Sequence, residues 1–223
     1  MNNPIIDKIA NTLKIKPFDN CQNPQLSIAR GRLIPKDLTG PQKTELFSQR
    51  AISSGSKVHH LKDNQALKEK LAEIITADKR IAIAGGQRLK ARLSDDPAAL
   101  LPETCQYIPA KKLDDDSELF NLNIAITDAH LAIAETGSIV LASDENYPRL
   151  TSLTAQSHIV ILWPDQIVAD MLDFSSALKE QIETNPNHSY TIISGPSKTA
   201  DIEMKLVIGV HGPGQLDIII MES

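Results

Sequence analysis

The sequence has little of what staples, stacks or spans. Only two of its 223 residues are cysteine, Cys21 and Cys105. An Fe–S cluster normally takes four cysteine ligands, as does a structural all-cysteine zinc site, so this chain by itself supplies neither. The two thiols are expected to be reduced, as in the cytosol. Aromatic residues make up 4% of the chain, so the core has to be aliphatic, built from Ile, Leu, Val and Ala. The longest apolar runs, such as Ile159 to Trp163, fall far short of the roughly 20 residues that cross a bilayer, so no membrane span is expected. Positive charge is not in excess. The formal net charge is -5, which argues against nucleic acid as a partner, because phosphate contacts need clustered Lys and Arg. No Gly-x-Gly-x-x-Gly follows a strand and no Gly-x-Ser-x-Gly elbow occurs, so dinucleotide binding and hydrolase chemistry have no sequence support. The opening residues, MNNPIIDKIANTLK, carry charge inside any apolar stretch. They are expected not to act as a secretory signal, and the protein is expected in the cytoplasm.

The hydrophobic fraction of 41% and the charged fraction of 23% are those of an ordinary globular protein. Helical spacing of Ile5, Ile6, Ile9 and Leu13 predicts a helix over Pro4 to Leu13. A Pro- and Gly-bearing irregular segment follows, from Lys16 to about Pro41, and Gln42 to Ser53 reads as another helix. Residues 1–50 are therefore expected to form an N-terminal helical arm, and 51–223 an α/β domain. From Lys57 onward strand and helix signals alternate. Strands are expected at Lys57 to Leu61, Arg80 to Ala84, Cys105 to Ile108, Leu131 to Ala134, Ser138 to Ala142, His158 to Trp163, Tyr190 to Ile193, Leu206 to Val210 and Leu216 to Met221. Asp63 is placed to cap a helix carrying Leu67, Leu71, Ile74 and Ile75. A further helix is expected from Ile167 to about Ile182. Continuous apolar strands alternating with helices imply an α/β fold with a mostly parallel sheet flanked by helices.

In open α/β sheets ligands bind beyond the carboxyl ends of the strands, so residues just past each strand are informative. Three places stand out. In Glu135-Thr136-Gly137-Ser138, a carboxylate occupies a tight turn where Asn, Asp or Ser is usual. Glu135 can act as a general base or accept from a ligand hydroxyl; the alternative is a Glu that binds neighbouring backbone amides. In Ser194-Gly195-Pro196-Ser197-Lys198-Thr199-Ala200-Asp201, hydroxyls and a Gly-Pro turn precede an expected short helix. Its free amides would attract a carboxylate or phosphate; a helix capped by Ser197 or Thr199, with its own acids in the first turn, is the competing reading. In Gly209-Val210-His211-Gly212-Pro213-Gly214, a histidine lies among glycines that let backbone approach a ligand. His211 can bind a carboxylate or shuttle a proton; a histidine bonded to a loop carbonyl is the alternative. Arg149 can clamp a carboxylate with two parallel bonds, or form a surface ion pair. His158, opening an apolar strand, reads as a structural histidine. No pair among Glu135, His158 and His211 has a helical ligand spacing, so no metal is expected.

Several blocks together resemble the LUD-domain lactate utilization proteins, in particular the lactate utilization protein C members. They are Ala132-Ile133-Ala134-Glu135-Thr136-Gly137-Ser138-Ile139-Val140-Leu141, Pro148-Arg149-Leu150, Ser152-Leu153, His158-Ile159-Val160, Ile193 through Glu203, and Gly209-Val210-His211-Gly212-Pro213. The likeness runs from about residue 50 to the end. The stretch before His158 lacks the family's usual proline, and Asp217 stands after Leu216 where a histidine is common. The resemblance implies a fold of the ribose-5-phosphate isomerase/glucosamine-6-phosphate deaminase/CoA-transferase type. It also implies work beside Fe–S partner proteins in oxidation of L-lactate to pyruvate, with no cofactor in this chain. On that reading Glu135 and His211 are candidates for proton handling. Thr136, Gly137, Ser138, Arg149, Ser194, Gly195, Ser197, Thr199, Asp201 and Gly212 are candidates for holding a small anionic ligand. The alternatives are a self-sufficient phosphosugar or acyl-CoA enzyme of the same fold, with Glu135 as nucleophile, and a non-catalytic regulatory or assembly module.

Overall fold

The strand Arg80-Ile81-Ala82-Ile83-Ala84 alternates isoleucine with alanine, and so does Ile124-Ala125-Ile126. Because successive side chains on a strand face opposite ways, this pattern makes one sheet face bulky and the other shallow. The computed structural model uses both. It describes residues 34–222 except 36, 77–78, 85–86, 94–95, 110–120, 144–147, 185–188, 201–205 and 209–211; the helix expected at Pro4 to Leu13 lies outside the described residues.

Twelve strands are described: β1 (Lys57–Leu61), β2 (Arg80–Ala84), β3 (Gln106–Pro109), β4 (Ile124–Asp128), β5 (Leu131–Ile133), β6 (Ser138–Ser143), β7 (Ser157–Leu162), β8 (Ile167–Val168), β9 (Ser189–Ile193), β10 (Lys198–Ala200), β11 (Leu206–Ile208) and β12 (Gln215–Met221). The helices are α1 (Gly40–Ser53), α2 (Asn64–Ile74), α3 (Gln87–Arg92), α4 (Thr151–Thr154) and α5 (Met171–Thr184). Six strands form one sheet in the order β1-β12-β7-β4-β2-β3, every neighbouring pair parallel. Four more form a mixed sheet, β8-β5-β6-β9, and β10 and β11 make an antiparallel pair. This is the expected mostly parallel α/β sheet flanked by helices.

The bulky face carries Ile81, Ile83, Ile124, Ile126, Ile159, Ile161 and Ile219, and it packs against Leu67 and Leu71 of α2 and Leu89 of α3. Helix α2 starts where expected: Asp63 accepts from the Ala66 amide at 2.8 Å. The shallow face, with Ala82, Ala84 and Ala125, shares a core with Ala132, Ile139 and Leu141 of the smaller sheet. Alanines there let a second sheet lie against the first. Helix α1 joins that same core through Phe47 and Ala51, both fully buried. Its start is set by a capping box between Thr39 and Gln42.

Helices α3 and α4 add to the expected elements, and three further differences stand out. β4, in the interior of the main sheet, was not expected; its five residues follow an acidic stretch that reads as loop. Ile167 and Val168 do not begin a helix. They form β8 beside β5, and the helix starts only at Met171. Buried Gln166 explains the break: its side-chain oxygen accepts from the Trp163 amide at 2.7 Å and its nitrogen donates to the Ala129 carbonyl, joining the ends of β7 and β4. Lys198 to Ala200 is strand rather than the start of a helix, pairing with Leu206 to Ile208. The helix-end anion site expected there is withdrawn.

Candidate functional site

β5 leaves the end of β4 and runs back across the shallow face. At its start the Ala129 amide bonds the Ile161 carbonyl near the end of β7. At its far end the turn to β6 meets the C-terminus of α1. Gly137 makes that meeting physical. Its φ is +65°, and a Cβ there would sit 2.3 Å from the Ala51 nitrogen and 2.5 Å from the Arg50 carbonyl carbon. Gly195, at φ +84°, repeats the arrangement one loop away, with a Cβ falling 2.5 Å from the Ser54 oxygen. Only glycine fits such left-handed, crowded positions.

The two loops are joined by hydroxyls. Thr136 Oγ1 lies 2.7 Å from Ser138 Oγ, which lies 2.7 Å from Ser194 Oγ. Ser138 is buried, whereas Thr136 and Ser194 are exposed, so the chain runs from surface to interior and back. The third expected loop touches the second: the Ser197 amide donates to the Pro213 carbonyl at 2.8 Å, and a Cβ on Gly212 would lie 3.3 Å from that of Ser197. The structure thus brings together Thr136, Gly137, Ser138, Ser194 and Gly195, with Ser197 and Gly212 next to one another. The loops follow β5 and β9, strands of the smaller sheet. Ser54 and Gly55, which they meet, lead into β1. Gly214, bonded to the Gln156 carbonyl at 3.0 Å, leads into β12. The meeting point is therefore at the edge where main-sheet strands begin, and not beyond their carboxyl ends as expected, because the β5–β6 hairpin folds back from those ends.

Glu135 lies on the opposite side of its turn. Its amide donates to the Ala169 carbonyl at 2.9 Å, and its Oε2 accepts from the Met171 amide at 3.4 Å, at the first turn of α5. Asp170 caps the same helix, accepting from Leu172 and Asp173 amides at 3.0 and 2.9 Å. Arg149 is exposed in the turn before α4, where its carbonyl takes the Ser152 hydroxyl at 3.0 Å. Thr199 sits in β10 opposite Val207. Asp201 and His211 lie outside the described residues. Among the described residues no group of three or more His, Cys, Asp or Glu side chains is placed to hold a metal.

Two histidines are tied inward. His158 is fully buried with its Nε2 2.9 Å from Thr127 Oγ1, and burial pushes its pKa down to about 3. His59, which the sequence reading passed over, meets buried Asp217 with Nε2 to Oδ1 at 2.9 Å, and Gln215 donates to the other carboxylate oxygen at 2.6 Å. No short-range pattern announces a pair 158 residues apart. His59→Ala is expected to cost about 2 kcal/mol, because it strips a buried carboxylate of one partner. The double change His59→Val with Asp217→Val should recover at least half of that in urea denaturation, since no charge is then left buried. Additive losses would show that the two side chains do not act as a pair.

A parallel sheet whose second layer is a hairpin-bearing smaller sheet, with loops folded onto one helix end, defines an α/β domain rather than a repeat or a bundle. The sequence profile of the LUD domain matches residues 44–221. The chain belongs to the LUD domain family. It is 36% identical over 103 residues to lactate utilization protein C of Macrococcus caseolyticus, covering 45% of each chain. It is 34% identical over 145 residues to the protein of that name from Geobacillus kaustophilus, covering 63% of this chain and 58% of the other. The matched stretch thus spans less than two thirds of these relatives. A crystal structure of a DUF162 family protein from Deinococcus radiodurans shares the fold at a TM-score of 0.64 with 22% identity, covering 83% of this chain and 99% of that one. Among the described residues no helix is long and apolar enough to cross a membrane.

Proposed function

We propose that this chain is an accessory or subunit protein of a system that oxidises L-lactate to pyruvate, and that it binds a small carboxylate at the loops around Ser138. The reading is supported by the relatives' name and by the hydroxyl chain Thr136–Ser138–Ser194, which joins two loops where a buried polar group meets the surface. That chain is the observation that carries it. Lactate oxidation releases two electrons and two protons. The two cysteines of this sequence fall short of a cluster, so the electrons pass to Fe–S partner proteins, and this chain binds the acid, handles a proton or holds the assembly. Glu135 and His211 are the proton-handling candidates; Arg149, exposed in the turn before α4, is not brought to these loops.

The reading is tested by lactate oxidation in a reconstituted system with and without this protein. A rate at least about tenfold higher with it is expected, equal to about 1.4 kcal/mol in the barrier; equal rates would leave the assembly role alone. Glu135→Ala should lower that rate by about tenfold, with only a small loss of stability from the α5 amide left without its acceptor. An unchanged rate would remove Glu135 from the chemistry and leave it as a helix cap. A covalent adduct on Glu135 after incubation with an acyl-CoA would favour the transferase alternative instead.

A further inference from the structure

We infer that Lys198 supplies the positive charge that holds the ligand's carboxylate; this rests on the carboxylate reading of the Ser138 loops. Three hydroxyls linked by two hydrogen bonds have spent two of their three protons on each other. One remaining O–H is too little for an anion, which requires a charged donor or several neutral ones. Lys198 Nζ donates to the Ser54 carbonyl at 3.0 Å, the same carbonyl against which Gly195 is pressed. The ammonium therefore sits beside the loop that carries Ser194. An ammonium has three protons, and the bond to Ser54 uses one.

A second glycine lies close against that head group. Gly55, at φ +98°, would place a Cβ 2.8 Å from Lys198 Nζ and 3.4 Å from its Cε. A side chain there would displace the ammonium. Two positive-φ glycines, 55 and 195, thus flank one carbonyl and one lysine. Capping the end of α1 accounts for the bond to Ser54, at a value of roughly 0.3–1 kcal/mol. It does not account for the hydroxyl chain beside it. Arg50 is another cation near these loops, its Cβ 2.7 Å from where a Cβ on Gly137 would lie; its side chain is exposed on α1 and makes a natural comparison.

The test is isothermal titration of the full chain with sodium L-lactate and with neutral lactamide, for the wild type, Lys198→Met, Lys198→Arg, Arg50→Met and Ser138→Ala. Lys198→Met is expected to weaken L-lactate binding about tenfold or more, the size of one charge-assisted bond. Lactamide binding should stay unchanged, Lys198→Arg should stay within about threefold of wild type, and Arg50→Met should match it. The melting temperature of Lys198→Met is expected to move little, which separates lost charge from lost packing. Wild-type affinity in Lys198→Met alongside weakened binding in Ser138→Ala overturns the role of Lys198 and leaves the hydroxyl site standing. Loss in Arg50→Met instead of Lys198→Met overturns it in favour of the arginine. Failure of the wild type to bind L-lactate overturns both the lysine's role and the carboxylate reading on which it rests.

Discussion

Gly137→Ala is expected to cost about 3 kcal/mol of folding stability, the sum of a left-handed backbone for a residue with a Cβ and a forced clash in a packed interior. The clash is with main chain. The added carbon would stand 2.3 Å from the Ala51 nitrogen and 2.5 Å from the Arg50 carbonyl carbon, so no side chain can swing aside to relieve it. Either the β5–β6 turn lifts from α1 or the helix end shifts, and both separate groups that the core holds together, since Ala51 is fully buried. For a chain of this size that is a fall of roughly 6–12 °C in melting temperature. Gly40→Ala is the matched comparison: nothing lies within 4 Å of its Cβ position, at the start of α1. It should be neutral or stabilising by up to about 1 kcal/mol. Equal effects at the two positions would mean that the turn does not press on the helix.

Acid should unfold the protein through His158. Its folded pKa of about 3 lies well below the ordinary 6.5, because burial penalises the charged ring. The folded state therefore holds fewer protons than the unfolded chain between those values, and stability rises with pH across that window. The contribution is fully present above about pH 6.5 and is lost progressively as pH falls toward 3. Between pH 7 and pH 5 the loss from this one residue is about 2 kcal/mol, approaching about 5 kcal/mol below pH 3. His158→Gln removes the titrating ring while keeping a polar group for Thr127. Urea denaturation at pH 7, 6 and 5 should show a loss of stability across that range about 2 kcal/mol smaller in the variant than in the wild type. Parallel slopes would mean that the ring titrates in the fold as it does in the unfolded chain.

Much of the sheet is legible in the sequence because its strands are apolar and bounded by turn residues. β1 and β2 match their expected limits to the residue, and Asp63 caps α2 as its position suggests. β4 escaped because five residues with two polar ones at the end, Thr127 and Asp128, give too short a pattern. Lys198 to Ala200 misled for a local reason: hydroxyls and a Gly-Pro turn are what a helix start looks like, and only pairing with Leu206 to Ile208 makes the segment a strand. The site divides the same way. Its loops are visible from their glycines and hydroxyls. That Gly137 and Gly195 press on one helix end, and that Lys198 reaches Ser54 across 144 residues, depends on tertiary contacts with no local signature.

The most direct measurement is the amide spectrum of the isotopically labelled full chain during titration with L-lactate. A carboxylate bound at the loops of Thr136, Ser138 and Ser194 should shift the amides of residues 136–138 and 194–198 together, saturating with one affinity. Shifts confined to other parts of the fold, or a spectrum that lactate leaves unmoved, would contradict a ligand site at these loops.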